Sequence, residues 1–241
     1  MGGLLLVLGL GLIAGVVSGT VGTGSSIILV PVLAQVYGPK EAVPIMAVAA
    51  VVGNFARILA WWREVDGRAF LAYAATGVPA AALGARTMLA LPDRVVDAAI
   101  GLFLLAMIPA RRWLGTHLVR LRLAHLAAAG AVIGYLTGIV VSTGPASVPV
   151  FLGYGLLKGA FIGTEAAASL AVYLAKTLTF RGAGALPTDQ LVKGLAVGGA
   201  LMAGAFLAKP FVLRLTPAGF GLLMDGLLLG SGASLLWSAM G

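Results

Sequence analysis

An all-α polytopic membrane protein is the fold class this sequence predicts: about eight hydrophobic segments in two related four-segment repeats, inverted relative to one another, with broken or re-entrant helices opening each repeat. Three observations predict it. Hydrophobic residues fill 60% of the 241 positions and charged residues 10%, with a mean hydropathy of +1.06, a composition that cannot be folded around one aqueous core. Apolar runs recur along the whole chain, each of about twenty residues, the length one helix needs to cross roughly 30 Å of hydrocarbon. Two of the runs are overlong and carry related interruptions rich in Gly and Ser or Thr.

Apolar runs bounded by charges, Gly and Pro place the first repeat at 1–112, with a broken segment at 2–37 and helices at 40–62, 68–90 and 94–111. A basic central loop at 113–120 follows; Arg111, Arg112, His117, Arg120 and Arg122 crowd around it. The second repeat, 121–241, is expected to hold a broken segment at 121–157 and helices at 159–181, 188–213 and 217–239. The opening MGGLLLVLGLGLIAG lacks the basic n-region of a cleaved signal peptide and reads as the start of the mature protein. Continuous helix over about 35 residues would extend about 52 Å, well past the hydrocarbon core, so each overlong segment must bend, break or double back.

The breaks are visible as GTVGTGSS at Gly19 to Ser26 and STGP at Ser142 to Pro145, where helix-disfavouring Gly and Pro interrupt apolar sequence. One constant offset pairs Gly11 with Gly130, Gly15 with Gly134, Ser18 with Thr137, Gly19 with Gly138 and Thr23 with Ser142. After a small insertion and a compensating deletion the same offset pairs Arg57 with Lys176 and Trp61 with Phe180. An internal duplication accounts for this. Full crossings throughout would make the halves parallel, whereas re-entrant hairpins at the breaks would invert them. With hairpins, more of the Lys and Arg gather on the side of the central basic loop, which the positive-inside rule assigns to the cytoplasm. Inverted repeats are therefore the expectation, in the inner (cytoplasmic) membrane, multi-pass.

A broken helix in hydrocarbon leaves backbone N–H groups without partners, and an anion is their natural complement, with Gly allowing close approach. The expected substrate-binding residues are Gly22, Thr23, Gly24, Ser25 and Ser26 at the first break and Ser142, Thr143 and Gly144 at the second. Gly11, Gly15, Gly130 and Gly134 fit close helix packing better. Arg57 and Lys176 sit at equivalent places, with Asn54 and Tyr173 one turn earlier on the same face, and all four join the expected site. A cation at such depth either faces the bundle interior or snorkels to the interface. Asp225 and Glu165 lie about two turns inside their segments, where either can carry a coupling proton or form a structural pair with Arg or Lys. Trp61, Trp62, Trp113 and Trp237 fall near segment ends, as in an aromatic belt.

GLIAGVVSGTVGTGSSIILVPVL, with Gly15, Gly19, Gly22, Gly24 and Pro31, and its counterpart GAVIGYLTGIVVSTGPASVPVFL resemble the paired signatures of the TauE/SafE permeases. The resemblance covers the whole chain. Ser25 and Ser26 depart from it, standing where many members continue the glycine run. What it implies is carriage of a sulfur-containing anion such as sulfite, thiosulfate or an organosulfonate, without ATP hydrolysis. The expectation is thus a secondary transporter working by alternating access between two Gly-rich breaks, with a passive anion channel of the same hourglass as the alternative. The partners expected are a small anion, the lipid bilayer and a coupling proton or cation. The net charge of +8 is spread over short loops and helix ends, with no basic patch on a soluble module, so nucleic acid is not expected. Cysteine is absent, which excludes disulfides and thiolate metal sites. No Walker motif, metal-ligand cluster or nucleophile with a base stands out, so neither a cofactor nor enzymatic activity is expected.

Overall fold

The computed structural model describes residues 2–21, 25–92, 94–96, 98–99, 101–103, 105–106, 109, 120–140 and 143–212. Within them the regular structure is entirely helical. The overlong first segment is two helices, α1 (Gly2–Val21) and α2 (Ser25–Tyr37). α3 (Pro39–Trp61) follows, then a 3₁₀ turn (Trp62–Glu64) and α4 (Gly67–Ala90). Beyond the central stretch come α5 (Leu123–Ile139), α6 (Gly144–Tyr154), α7 (Lys158–Gly182) and α8 (Thr188–Val212). Residues 94–96, 98–99, 101–103, 105–106 and 109 are helical as well. The segment expected at 217–239 and the loop at 113–119 lie outside the described residues.

At 20 to 25 residues, α1, α3, α4, α7 and α8 are about 30 to 38 Å long, enough to cross a bilayer. α3 has a mean hydropathy of 1.8 over Glu41–Leu59. Small residues on several of these helices serve packing. On α4 and α5, a Cβ at Gly84, Gly130, Gly134 or Gly138 would lie under 3.0 Å from backbone of the facing helix. Glycine is what lets the two axes approach, as in small-residue membrane seams. Thr76 donates to Ala127 O at 2.6 Å across the same seam.

α1 and α8 form a seam of the same kind. Gly15 packs on the Leu201 backbone, and Gly204 meets Leu12 and Gly15 as Gly84 meets Tyr135 and Gly138. α3 in turn packs on α8 as α4 packs on α7, and α3 and α7 pack on each other at the centre. Those two run antiparallel: Gly163 of α7 sits against Trp61, near the end of α3, and Gly159 against Trp61 and Glu64.

The second overlong segment doubles back on itself. α5 ends at Ile139, Val140 is extended, and α6 starts at Gly144 after Thr143. Leu121 N–H, just before α5, donates to Gly153 O, near the end of α6, at 2.9 Å. Both ends of this hairpin therefore lie on one side of the molecule. Gly155 closes α6 in the left-handed region, φ 105°, where a side chain would be strained.

Large apolar side chains point outward along every long helix, among them Leu12, Leu59, Leu71, Leu83, Leu178, Val192 and Phe206. Glu165 and Lys176 are buried instead. This is the arrangement of a protein dissolved in lipid: apolar groups face the solvent and buried ionisable ones turn to polar partners inside.

Candidate anion site between the broken helices

α3 and α7 each bring one cation to the bundle interior. Asn54 donates its amide to Ala50 O at 2.8 Å, one turn back, which turns its Oδ1 toward the Arg57 guanidinium. Arg57 Nη2 donates to that Oδ1, and Nη1 donates to Glu165 Oε2 of α7 at 2.9 Å. The other carboxylate oxygen of Glu165 accepts from Ser169 at 2.8 Å and Ser147 at 3.1 Å. Ser169 follows Glu165 by one turn, while Ser147 sits in the first turn of α6, directly after the break. The Ser147 hydroxyl is also 3.1 Å from Gly144 O, and has one proton for the two acceptors.

Lys176 lies eleven residues beyond Glu165 on α7, about 16 Å along the axis. It does not snorkel; its exposure is 0%. Its ammonium donates to Thr137 O and, at 2.7 Å, to Val140 O at the end of α5. Next to them the hydroxyls of Thr137 and Thr143 hydrogen-bond across the break. The α5–α6 interruption therefore lies between the two cations, with Arg57 reaching it through Glu165 and Ser147 and Lys176 holding its near end. A cleft of about 440 Å³ opens beside the last turns of α7, lined by Arg86, Leu178, Thr179, Gly182 and Ala183.

Of the residues expected at the site, Asn54, Arg57 and Glu165 form one hydrogen-bonded group, and Thr143 and Lys176 meet at the end of α5. Gly144 gives its carbonyl to Ser147, Tyr173 is buried one turn before Lys176, and Ser25 and Ser26 open α2, with Ser26 buried. Gly22, Thr23, Gly24, Ser142 and Asp225 lie outside the described residues. Two contributors, Ser147 and Ser169, were not anticipated. Ser169 has a signal, its four-residue spacing from Glu165; Ser147 has none, because its role depends on how the hairpin folds. Among the described residues no cluster of His, Asp and Glu able to hold a metal occurs.

A family model, the sulfite exporter TauE/SafE family, matches residues 7–235. The chain belongs to the TauE/SafE family. No individually curated protein and no solved structure matches it. Membership makes this TauE/SafE chain a polytopic membrane protein of a transporter family rather than an enzyme, and points to transport of an anion of the sulfite or sulfonate kind.

Proposed function

We propose that this protein is a secondary carrier in the inner (cytoplasmic) membrane that moves a small sulfur-containing anion, sulfite, thiosulfate or an organosulfonate, by alternating access. The observation that carries the reading is the buried group in which Glu165 of α7 accepts from Arg57 of α3 and from Ser147 of α6. Glu165 there accepts from a guanidinium and two hydroxyls, the donor set that an oxyanion requires. Protonation of Glu165 removes its charge and loosens its hold on Arg57 Nη1, which can then turn to the substrate, while Ser147 turns its own proton to Gly144 O. One proton and one anion are thereby bound together at a single site, as proton–anion symport requires. Gly22 to Ser26 and Ser142 to Gly144, with Asn54, Tyr173 and Lys176, complete the lining, and Asp225 is a second candidate for the coupling proton.

Two inverted repeats, 1–112 and 121–241 around the basic loop 113–120, would supply the moving parts. The exchanged seams, α1 on α8 and α5 on α4, support this, as does the α5–α6 hairpin, which leaves three crossings in its half. Liposomes containing the purified protein should show sulfite, thiosulfate or sulfonate flux above empty vesicles, accelerated by an imposed pH gradient. Arg57→Gln should lower that flux about tenfold or more, which corresponds to about 1.4 kcal/mol of lost stabilisation. Glu165→Gln, a permanent mimic of the protonated acid, should keep downhill flux and lose its response to the gradient. Folded protein that moves none of these anions would reject the substrate class, and wild-type flux indifferent to a pH gradient would make it a passive anion channel.

A further inference from the structure

The end of α5, beside the proposed anion lining, holds a set of oxygen ligands that meets a cation rather than an anion. Thr137 O is among the last four carbonyls of α5, which lack a full set of intrahelical partners and carry the negative end of the helix dipole; Val140 O lies just beyond. Both converge on one point, beside the hydrogen-bonded hydroxyls of Thr137 and Thr143. Carbonyls of an unwound helix end, next to Thr hydroxyls, are the environment in which carriers hold a small alkali cation. Here the point is occupied by the Lys176 ammonium. Two of its N–H bonds go to the carbonyls, and the face of Phe180, one turn on, lies 5.6 Å away.

Counted from the Arg57–Glu165 pair along the antiparallel α3 and α7, the eleven residues that lead to Lys176 lead on α3 to Met46, a buried thioether rather than a carboxylate. The carbonyls of the helix end are what Lys176 meets instead.

We propose that Lys176 is a tethered cation filling a small monovalent-cation site at the α5–α6 break, so that the chain's own ammonium, rather than dissolved Na⁺, holds that break in place. The site stands on this geometry; only its consequence for flux rests on the carrier reading. Lys176→Ala should open the site to mobile cations. Thermal unfolding of the purified variant, in chloride salts of Na⁺, methylammonium or propylammonium against choline at equal ionic strength, should show a saturable rise in Tm with at least one small cation, absent from the wild type. A variant that responds to none of them, or equally to choline, overturns the proposal. Should Lys176→Ala not survive purification, Lys176→Met keeps the volume without the charge. It should unfold at a lower temperature than the wild type, and a Met variant as stable as the wild type also overturns the proposal. A cation-dependent Tm without sulfite or sulfonate flux in any buffer would leave the site intact and remove the transport reading instead.

Discussion

Glu165 is 1% exposed, and each of its oxygens has a donor: Arg57 on one, Ser147 and Ser169 on the other. Removing one member of a buried ion pair strands the other. Glu165→Ala is therefore expected to cost about 3–5 kcal/mol, and Ser147→Ala only about 1 kcal/mol, since a single hydrogen bond is lost and the carboxylate keeps two partners. Glycines divide in the same way, by what faces them. A Cβ at Gly134 would meet Gly77 backbone under 3.0 Å away, and Gly134→Ala should cost about 1–3 kcal/mol. Gly53, inside α3, has nothing within 4 Å of such an atom, and Gly53→Ala should be neutral or stabilise by up to about 1 kcal/mol. Melting of the two variants side by side checks the pair, and equal shifts would remove the role given to the α4–α5 seam.

Helix ends show what local sequence can and cannot specify. Asp66 caps α4, its carboxylate accepting from Arg68 N–H at 2.9 Å and Ala69 N–H at 3.0 Å. Its own N–H donates to Thr164 of α7 at 2.8 Å. Asp66→Ala should cost about 1 kcal/mol, read as a lower melting temperature. Such a cap is legible from residue type and position, and so were the helical class and the family, because composition, hydropathy and short motifs act over a few neighbouring residues. Glu165 could be picked out as a deep acid, yet nothing near it in sequence names Arg57, 108 positions away, as its partner. Lys176 was equally visible as a deep cation. That it serves the end of α5 depends on Leu121 and Gly153 closing the hairpin, a contact between residues with no distinguishing pattern of their own. Local chemistry was readable; the pairing of distant charges belongs to tertiary packing.

At the scale of the molecule, the hairpin decides sidedness. The chain contains no cysteine, so single introduced thiols report without background. Arg120→Cys and Leu157→Cys, flanking α5–α6 at exposed positions, should be labelled by an impermeant reagent from the same side of sealed vesicles, and Ala183→Cys, past the far end of α7, from the opposite one. Labelling of positions 120 and 157 from opposite sides would mean that the segment crosses the membrane. The two glycine seams also differ in a way that their shared geometry conceals. α5 finds α4 already synthesised when it emerges, so that seam can close during translation, and an 11-residue α6 can fold back against a surface already in place. α1 is made well before its partner α8, which follows only after α2 to α7. Its glycine face must wait, shielded by lipid or by another protein, until α8 has been inserted; a helix that enters the membrane ahead of its partner by six others is among the last to find its place.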